Sequence, residues 1–199
     1  IKEIAAVLTK KQNETGNSIY IISDEPYREL VYGAQVPYIP KYYRNTLVCY
    51  SFSKSLSLPG ERIGYIAVNP EAEDAKRVYA AICGAGRALG FVCAPSIWQY
   101  TVARCIDVMP DTGIYKKNRD LLCGALESYG YTVIPPDGAF YLFVKSPEPD
   151  AVKFCERAKK YELLPVPADS FGAKEYVRIC YCVETDMIKR ALPGCKTAD

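Results

Sequence analysis

The sequence predicts an α/β protein in two parts, residues 1–109 and 110–199, on three observations. Short apolar, β-rich runs ("NSIYIIS", "NTLVCYSFS", "RIGYIAV") are set among helical stretches in the first part. After Met109 the pattern changes to a closer alternation of helix and strand, which reads as an α+β unit. The 199 residues are 49% hydrophobic and 24% charged, enough to bury a core of one large domain or two small ones.

"IKEIAAVLTKKQ" places Ile1, Ile4, Ala5, Val7 and Leu8 at helical spacing, with no start methionine and no capping residue before them. The chain is therefore expected to begin inside a domain. "NSIYIIS" reads as a buried parallel strand, and so does "NTLVCYSFS", which delivers Ser51 to Lys54 at its C-terminal end. "RIGYIAV" is a third strand. "PEAEDAKRVYAAICGAG" and "PSIWQYTVARCIDV" are helical by pattern, the glycines leaving the end of the former open. In the second part "PDTGIYKKNRDLLCGALESYG" is a long amphipathic helix with a glycine stop. "YTVIP" and "GAFYLFV" follow as strands, "PDAVKFCERAKKYE" as a helix, "LLPVP" and "YVRICYC" as strands, and "ETDMIKRAL" as a closing helix. No internal repeat or low-complexity tract interrupts this order.

Composition narrows the chemistry. The formal net charge is +2 and no block of like charge occurs, so neither a nucleic acid nor a membrane surface is an expected partner; small molecules and other subunits are. The longest uncharged stretch, Ala88 to Ala103, is broken by polar residues and falls short of the roughly 20 apolar residues that span a bilayer. The nine cysteines never form a C-x-x-C pair and most stand among apolar neighbours, so they are read as reduced, buried and cytosolic, with a cytoplasmic location. With no histidine in the chain, Ser-His and Cys-His nucleophile pairs are excluded and no metal site is expected. Acid-base work at neutral pH falls to lysine, carboxylate, tyrosine or cysteine.

"SFSKSLSLPGERIGY" crowds one lysine between hydroxyls ahead of a Pro-Gly break and an arginine. A lysine held neutral by burial or neighbouring charge forms a Schiff base with a carbonyl. Ser51 and Ser53 lie on one side of an extended segment, and with Arg62 they describe a phosphate cradle. An imine-forming Lys54 beside a phosphate site points to pyridoxal phosphate. That cofactor's ring nitrogen requires a carboxylate to keep it protonated. "IISDEPYREL" supplies Asp24 directly after an apolar strand, with Tyr27 three residues on.

These segments resemble the pyridoxal-phosphate-dependent aminotransferases of fold type I, class I/II, the relatives of aspartate aminotransferase. The family's Asp-x-x-Tyr matches Asp24 and Tyr27, its Ser-x-Ser-Lys matches Ser51, Ser53 and Lys54, and its Gly-x-Arg-x-Gly matches Gly60, Arg62 and Gly64. The resemblance implies that Asp24 pairs with the pyridinium and Tyr27 with the phenolic oxygen. It implies further that Lys54 carries the cofactor and moves the substrate proton. "YVRICYC" resembles the strand that clamps the substrate α-carboxylate, which nominates Arg178; "PDGAFYLFV" and "PADSFG" also resemble segments of the small domain. The implied fold is the later part of a large, mixed but mainly parallel sheet domain (1–109) followed by a C-terminal α+β small domain (110–199).

The family's preceding half carries a glycine-rich phosphate helix, a ring-stacking aromatic and an Asn that holds the phenolic oxygen. This chain is similar to the C-terminal half alone. The resemblance therefore implies a fragment of a homodimeric parent, incomplete for catalysis, with an exposed core face where the other half packs. The implied reaction moves an amino group from an amino acid, aspartate being favoured, to a 2-oxo acid. The alternatives are a β-eliminating carbon-sulfur lyase of the same fold and a non-enzymatic, ligand-sensing domain. In members acting on acidic substrates an arginine from the neighbouring subunit lies in the region of Arg87, but a solvated or structural role is preferred for it here. Tyr38, Tyr42 and Tyr43 could border the pocket, although buried packing is preferred.

Overall fold

Helix α1 (Lys2–Thr15) opens the chain in the computed structural model, which describes residues 1–197. It ends where Gly16 takes φ 68°, a left-handed turn that returns its N–H to the carbonyl of Gln12. The chain divides into two compact units, one of Ile1–Glu29 with Gln35–Pro110 and the other of Leu30–Ala34 with the chain from Asp111 onward.

In the first unit three strands form a mixed sheet in the order β1 (Ile21–Asp24), β2 (Thr46–Ser51), β3 (Gly64–Val68). β1 runs parallel to β2, with Ile21 opposite Thr46 and Asp24 opposite Cys49, and β3 returns antiparallel. Central β2 is buried along most of its length. Asn45 just before it anchors the sheet, donating to the Gln12 side chain at 3.1 Å and accepting from the Glu73 N–H at 2.8 Å. β1 departs from the expected burial. It is an edge strand whose side chains alternate, and Ile22 is 70% exposed. One face of the edge is therefore left without cover by the described residues, which period-two alternation makes visible at every second position.

Helices α2 (Phe52–Ser55), α3 (Ala75–Ala88) and α4 (Ser96–Arg104) follow the strands. α3 continues through Gly84 and Gly86, so the glycines do not end it, and none of its residues is buried. Tyr79, Leu89, Phe91, Val92, Ile97 and Tyr100 are exposed large apolar side chains of this unit. No helix among the described residues is long and apolar enough to cross a membrane.

The second unit is an α+β layer. Its antiparallel sheet runs β4 (Val133–Ile134), β5 (Tyr141–Lys145), β7 (Tyr176–Cys180), β6 (Val166–Pro167). Helices α5 (Gly113–Ser128), α6 (Ala151–Ala158) and α7 (Thr185–Thr197) complete it. Leu126, Leu142, Val144, Phe154, Ala158, Val177 and Tyr181 form its buried core. Asp150 caps α6, accepting from the N–H groups of Val152 and Lys153 at 3.1 Å each. α7 passes through Pro193, beyond the expected end of the helix. Tertiary contacts keep the last turn in place despite the missing donor: Cys195 is buried and its carbonyl accepts from the Tyr131 hydroxyl at 2.9 Å. Leu30–Ala34 is bound into this unit by a bridge between Val31 and Gly138 and by the Ala139 N–H, which donates to the Leu30 carbonyl at 2.7 Å.

All nine cysteines are free thiols. The burial expected of them holds for Cys123, Cys155 and Cys195, whereas Cys83, Cys93, Cys180 and Cys182 are exposed and Cys49 and Cys105 half-buried. Apolar sequence neighbours do not bury a thiol when the helix or strand end that carries it faces outward. Burial pushes the Cys155 thiol up to about 11, so it stays protonated at neutral pH.

Candidate active site

The parallel pairing of β1 and β2 sets their C-terminal ends side by side, the edge at which open α/β sheets bind ligands. The ladder extends one step past β1, the Glu25 N–H donating to the Cys49 carbonyl at 2.8 Å. Beyond it the chain turns, and the turn is locked from inside. The buried Glu25 carboxylate accepts from Ser23 Oγ at 2.7 Å and from Arg28 Nε at 2.6 Å, and it is also paired with Arg28 Nη2. Asp24 is left exposed at the strand end and Tyr27 half-buried on the turn. Burial first, and then the Asp24 charge, raise the Cys49 thiol above its ordinary range.

β2 delivers the lysine. Ser51, with φ −135° and ψ 135°, is the N-cap of α2, and its hydroxyl accepts from the Ser53 N–H at 3.2 Å. The two serine hydroxyls meet at 2.7 Å. They do meet, but not as side chains of one extended segment: Ser53 lies in the first helical turn, and the cap brings it back over Ser51. Lys54 follows, with Nζ 5.7 Å from the centre of the Tyr27 ring.

The Pro-Gly break returns the chain antiparallel to β2. Arg62 takes φ 54°, left-handed for a non-glycine residue, and its Nη1 donates to the Pro59 carbonyl at 2.8 Å. Gly64 pairs with Ser51, and a Cβ there would stand 2.3 Å from the Tyr50 carbonyl oxygen. Gly64→Ala is expected to force the two strands apart and destabilise the first unit by about 1–3 kcal/mol, as overpacking does elsewhere. A denaturation midpoint equal to the wild type would refute the close approach.

The structure thus brings Lys54 to Tyr27 and Ser51 to Ser53, with Asp24 at the end of the paired strand and Arg62 two residues before the Gly64–Ser51 pair. Arg178 belongs to the second unit. There it is half-buried on β7, with its guanidinium carbon 4.5 Å from the centre of the Tyr141 ring and 4.0 Å from that of Phe171. Both rings lie in the "GAFYLFV" and "PADSFG" segments, though nothing in their spacing marks them as partners of Arg178. Tyr43 is buried, its hydroxyl donating to the Ile19 carbonyl at 2.7 Å, whereas Tyr38 and Tyr42 are exposed. Arg87 is exposed in the last turn of α3.

The structure joins the amine to the phenol and one hydroxyl to the other, while the Arg62 guanidinium lies exposed on the Pro59 carbonyl and the Asp24 carboxylate is exposed; by chemical type these groups suit a phosphorylated aromatic aldehyde. Ser51, Ser53 and Arg62 would take the phosphate, Lys54 the aldehyde carbon, Tyr27 the phenolic oxygen and Asp24 the ring nitrogen. The residues therefore fit pyridoxal phosphate.

Comparison with known proteins gives the same direction. The profile of a family described as aminotransferase class I and II matches residues 2–193. An aspartate aminotransferase of Thermotoga maritima is 30% identical over 193 residues, covering 93% of this chain and 47% of that protein. A (5-formylfuran-3-yl)methyl phosphate transaminase of Methanocaldococcus jannaschii is also 30% identical, over 90% of this chain and 50% of its own length. The crystal structure of an amino transferase from Eubacterium rectale superposes with a TM-score of 0.95 at 54% identity, covering 99% of this chain and 50% of that one. The chain spans about half the length of the curated relatives it matches.

Proposed function

Because the chain belongs to the class I and II aminotransferase family, we propose that it contributes the lysine-bearing part of a pyridoxal-phosphate site in an enzyme that moves an amino group from an amino acid to a 2-oxo acid. The observation that carries this reading is Lys54 held over Tyr27 beside the touching Ser51 and Ser53 hydroxyls. Bound pyridoxal phosphate supplies an electron sink for the pair left at the amino acid's α-carbon. The chain's own residues do the rest. Ser51, Ser53 and Arg62 hold the phosphate with two hydroxyls and one permanent cation. Asp24, exposed at the strand end, would pair with the ring nitrogen and keep its proton there. The phenol of Tyr27 orients the ring by a hydrogen bond at its phenolic oxygen. Once its amine is released, Lys54 takes the α-proton of the substrate at Nζ and returns it on the other side of the transfer. Arg178, set between two rings in the second unit, pairs with the α-carboxylate by a planar fork.

Aspartate with 2-oxoglutarate is the proposed substrate pair; the name of the Thermotoga relative, an aspartate aminotransferase, supports the aspartate. The Methanocaldococcus relative, equally similar, is named for a furan phosphate. Selection among side chains therefore rests on residues outside the shared set.

The test is to incubate the protein with pyridoxal phosphate, reduce with borohydride and locate the modified lysine by peptide mass spectrometry. Selective modification of Lys54 is the expected result. Modification scattered over the chain's lysines would remove Lys54 from the cofactor role.

A further inference from the structure

Two short irregular segments carry the proposed site, and the internal bonds of each leave open what ties one to the other. α2 has four residues, below the length at which a helix is stable from its own hydrogen bonds. The stretch from Glu25 to Glu29 is a succession of turns. Between them, on β2, stands Tyr50. It is the neighbour of Ser51 in sequence but faces the opposite side of the strand, as alternation requires. Its ring is buried, stacked on Tyr65 at 5.2 Å between centroids and edge-on to Phe52 at 5.1 Å, so the hydroxyl has one fixed position. That hydroxyl lies 2.7 Å from Glu29 Oε2 and 2.8 Å from Ser55 Oγ. A phenol has one proton, so the Tyr50 hydroxyl reaches both acceptors and donates to Glu29 or to Ser55 in turn. Glu29 closes the turn that bears Tyr27, and Ser55 is the residue after Lys54.

We propose that Tyr50 is a positioning residue: through Glu29 and Ser55 its hydroxyl ties the segment that carries Tyr27 to the segment that carries Lys54, and so sets the approach of the amine to the ring. The inference rests on the cofactor reading above for its purpose, but the geometry it explains, Lys54 over Tyr27, exists without a cofactor. Burial, with the Glu29 bond adding to it and the Ser55 bond opposing it, holds the phenol up to about 12, so the Tyr50 hydroxyl keeps its proton throughout the neutral range.

Tyr50→Phe removes the hydroxyl and keeps the stacked ring. Tyr43→Phe is the matched control, since it deletes a buried hydroxyl of the same unit that holds Ile19 instead. Two readouts are taken on each variant: the rate at which pyridoxal phosphate and borohydride label Lys54, and the ring-current shift of the Lys54 ε-methylene protons by NMR without cofactor, assigned with Lys54→Arg. Tyr50→Phe is expected to slow Lys54 labelling about tenfold, the scale of one lost hydrogen bond to a charged group, and to abolish the ring-current shift. Tyr43→Phe should leave both unchanged. A Tyr50→Phe protein with wild-type labelling and wild-type shift overturns the proposal, as does an equal loss in Tyr43→Phe, which would mark a general effect of destabilisation. If Tyr50→Phe does not fold, Ser55→Ala and Glu29→Leu each cut one arm of the tie and are read in the same way, with Glu29→Gln restoring an acceptor and the wild-type values. Should the wild type itself fail to label at Lys54, the cofactor reading falls, and the ring-current comparison alone decides the role of Tyr50.

Discussion

Replacing Lys54 by alanine is expected to abolish amino-group transfer in the complete enzyme and to leave the fold intact. The loss should exceed the roughly 10²–10⁴-fold that a positioned proton-transfer group supplies on its own, because the role proposed for the same amine includes capturing the cofactor's carbonyl carbon. The fold should persist because the lysine is half-exposed on α2, while the packing beneath it, Tyr50, Phe52, Ile63 and Val102, is untouched. Lys54→Arg separates charge from nucleophilicity: it keeps a cation beside Tyr27, but a guanidinium neither loses its proton nor condenses with a carbonyl. Both variants should therefore be inactive with wild-type circular dichroism. Turnover retained in Lys54→Ala would move the chemistry to another residue.

The second large effect concerns Arg178. Its removal should weaken substrate binding by on the order of 2–5 kcal/mol, the cost of leaving the partner of a desolvated charge pair alone. That corresponds to a rise in KM of roughly thirty-fold to several thousand-fold. Arg178→Lys should recover only part of the loss, since the rings of Tyr141 and Phe171 flank a flat guanidinium and an ammonium offers neither the stacking plane nor the two parallel donors. Steady-state kinetics with an amino acid and with the matching amine lacking the carboxylate distinguish the cases. An unchanged KM for the amino acid in Arg178→Ala would make this arginine a structural member of an aromatic stack.

Most elements could be read from the sequence because each is short, strongly patterned and closed by Gly, Pro or Asp. Asp24 and Lys54 were visible for the same reason, each standing at the end of an apolar run where the chain must leave the sheet. What could not be read lies where tertiary contact overrides local pattern. Ser51 and Ser53 meet through a helix cap and not through strand alternation. Ile22 is apolar yet exposed: the contiguous apolar run reads as a buried strand and does not reveal that β1 lies at the edge of the sheet. Pro193 marks a helix end that the buried Cys195 and the Tyr131 hydroxyl override. Tyr50 gave no functional signal at all: a tyrosine in a strand reads as core, and its ring is core, while the hydroxyl acts on residues distant in sequence on one side and close on the other.

The segment Leu30–Ala34 has a consequence for how the protein reaches its native state. Tyr32 donates its hydroxyl hydrogen to the Ala139 carbonyl, a partner 107 residues further along the chain. Closing a loop of that length costs roughly 4 kcal/mol in chain entropy before any contact rewards it. The neighbouring Val31–Gly138 bridge is equally non-local and tolerates no side chain at Gly138, where a Cβ would stand 2.7 Å from the Leu30 carbonyl. During synthesis Leu30–Ala34 leaves the ribosome long before its partners and has nothing to pair with. The second unit can complete only after Asp137–Ala139 has emerged, so this stitch closes late and across a long loop.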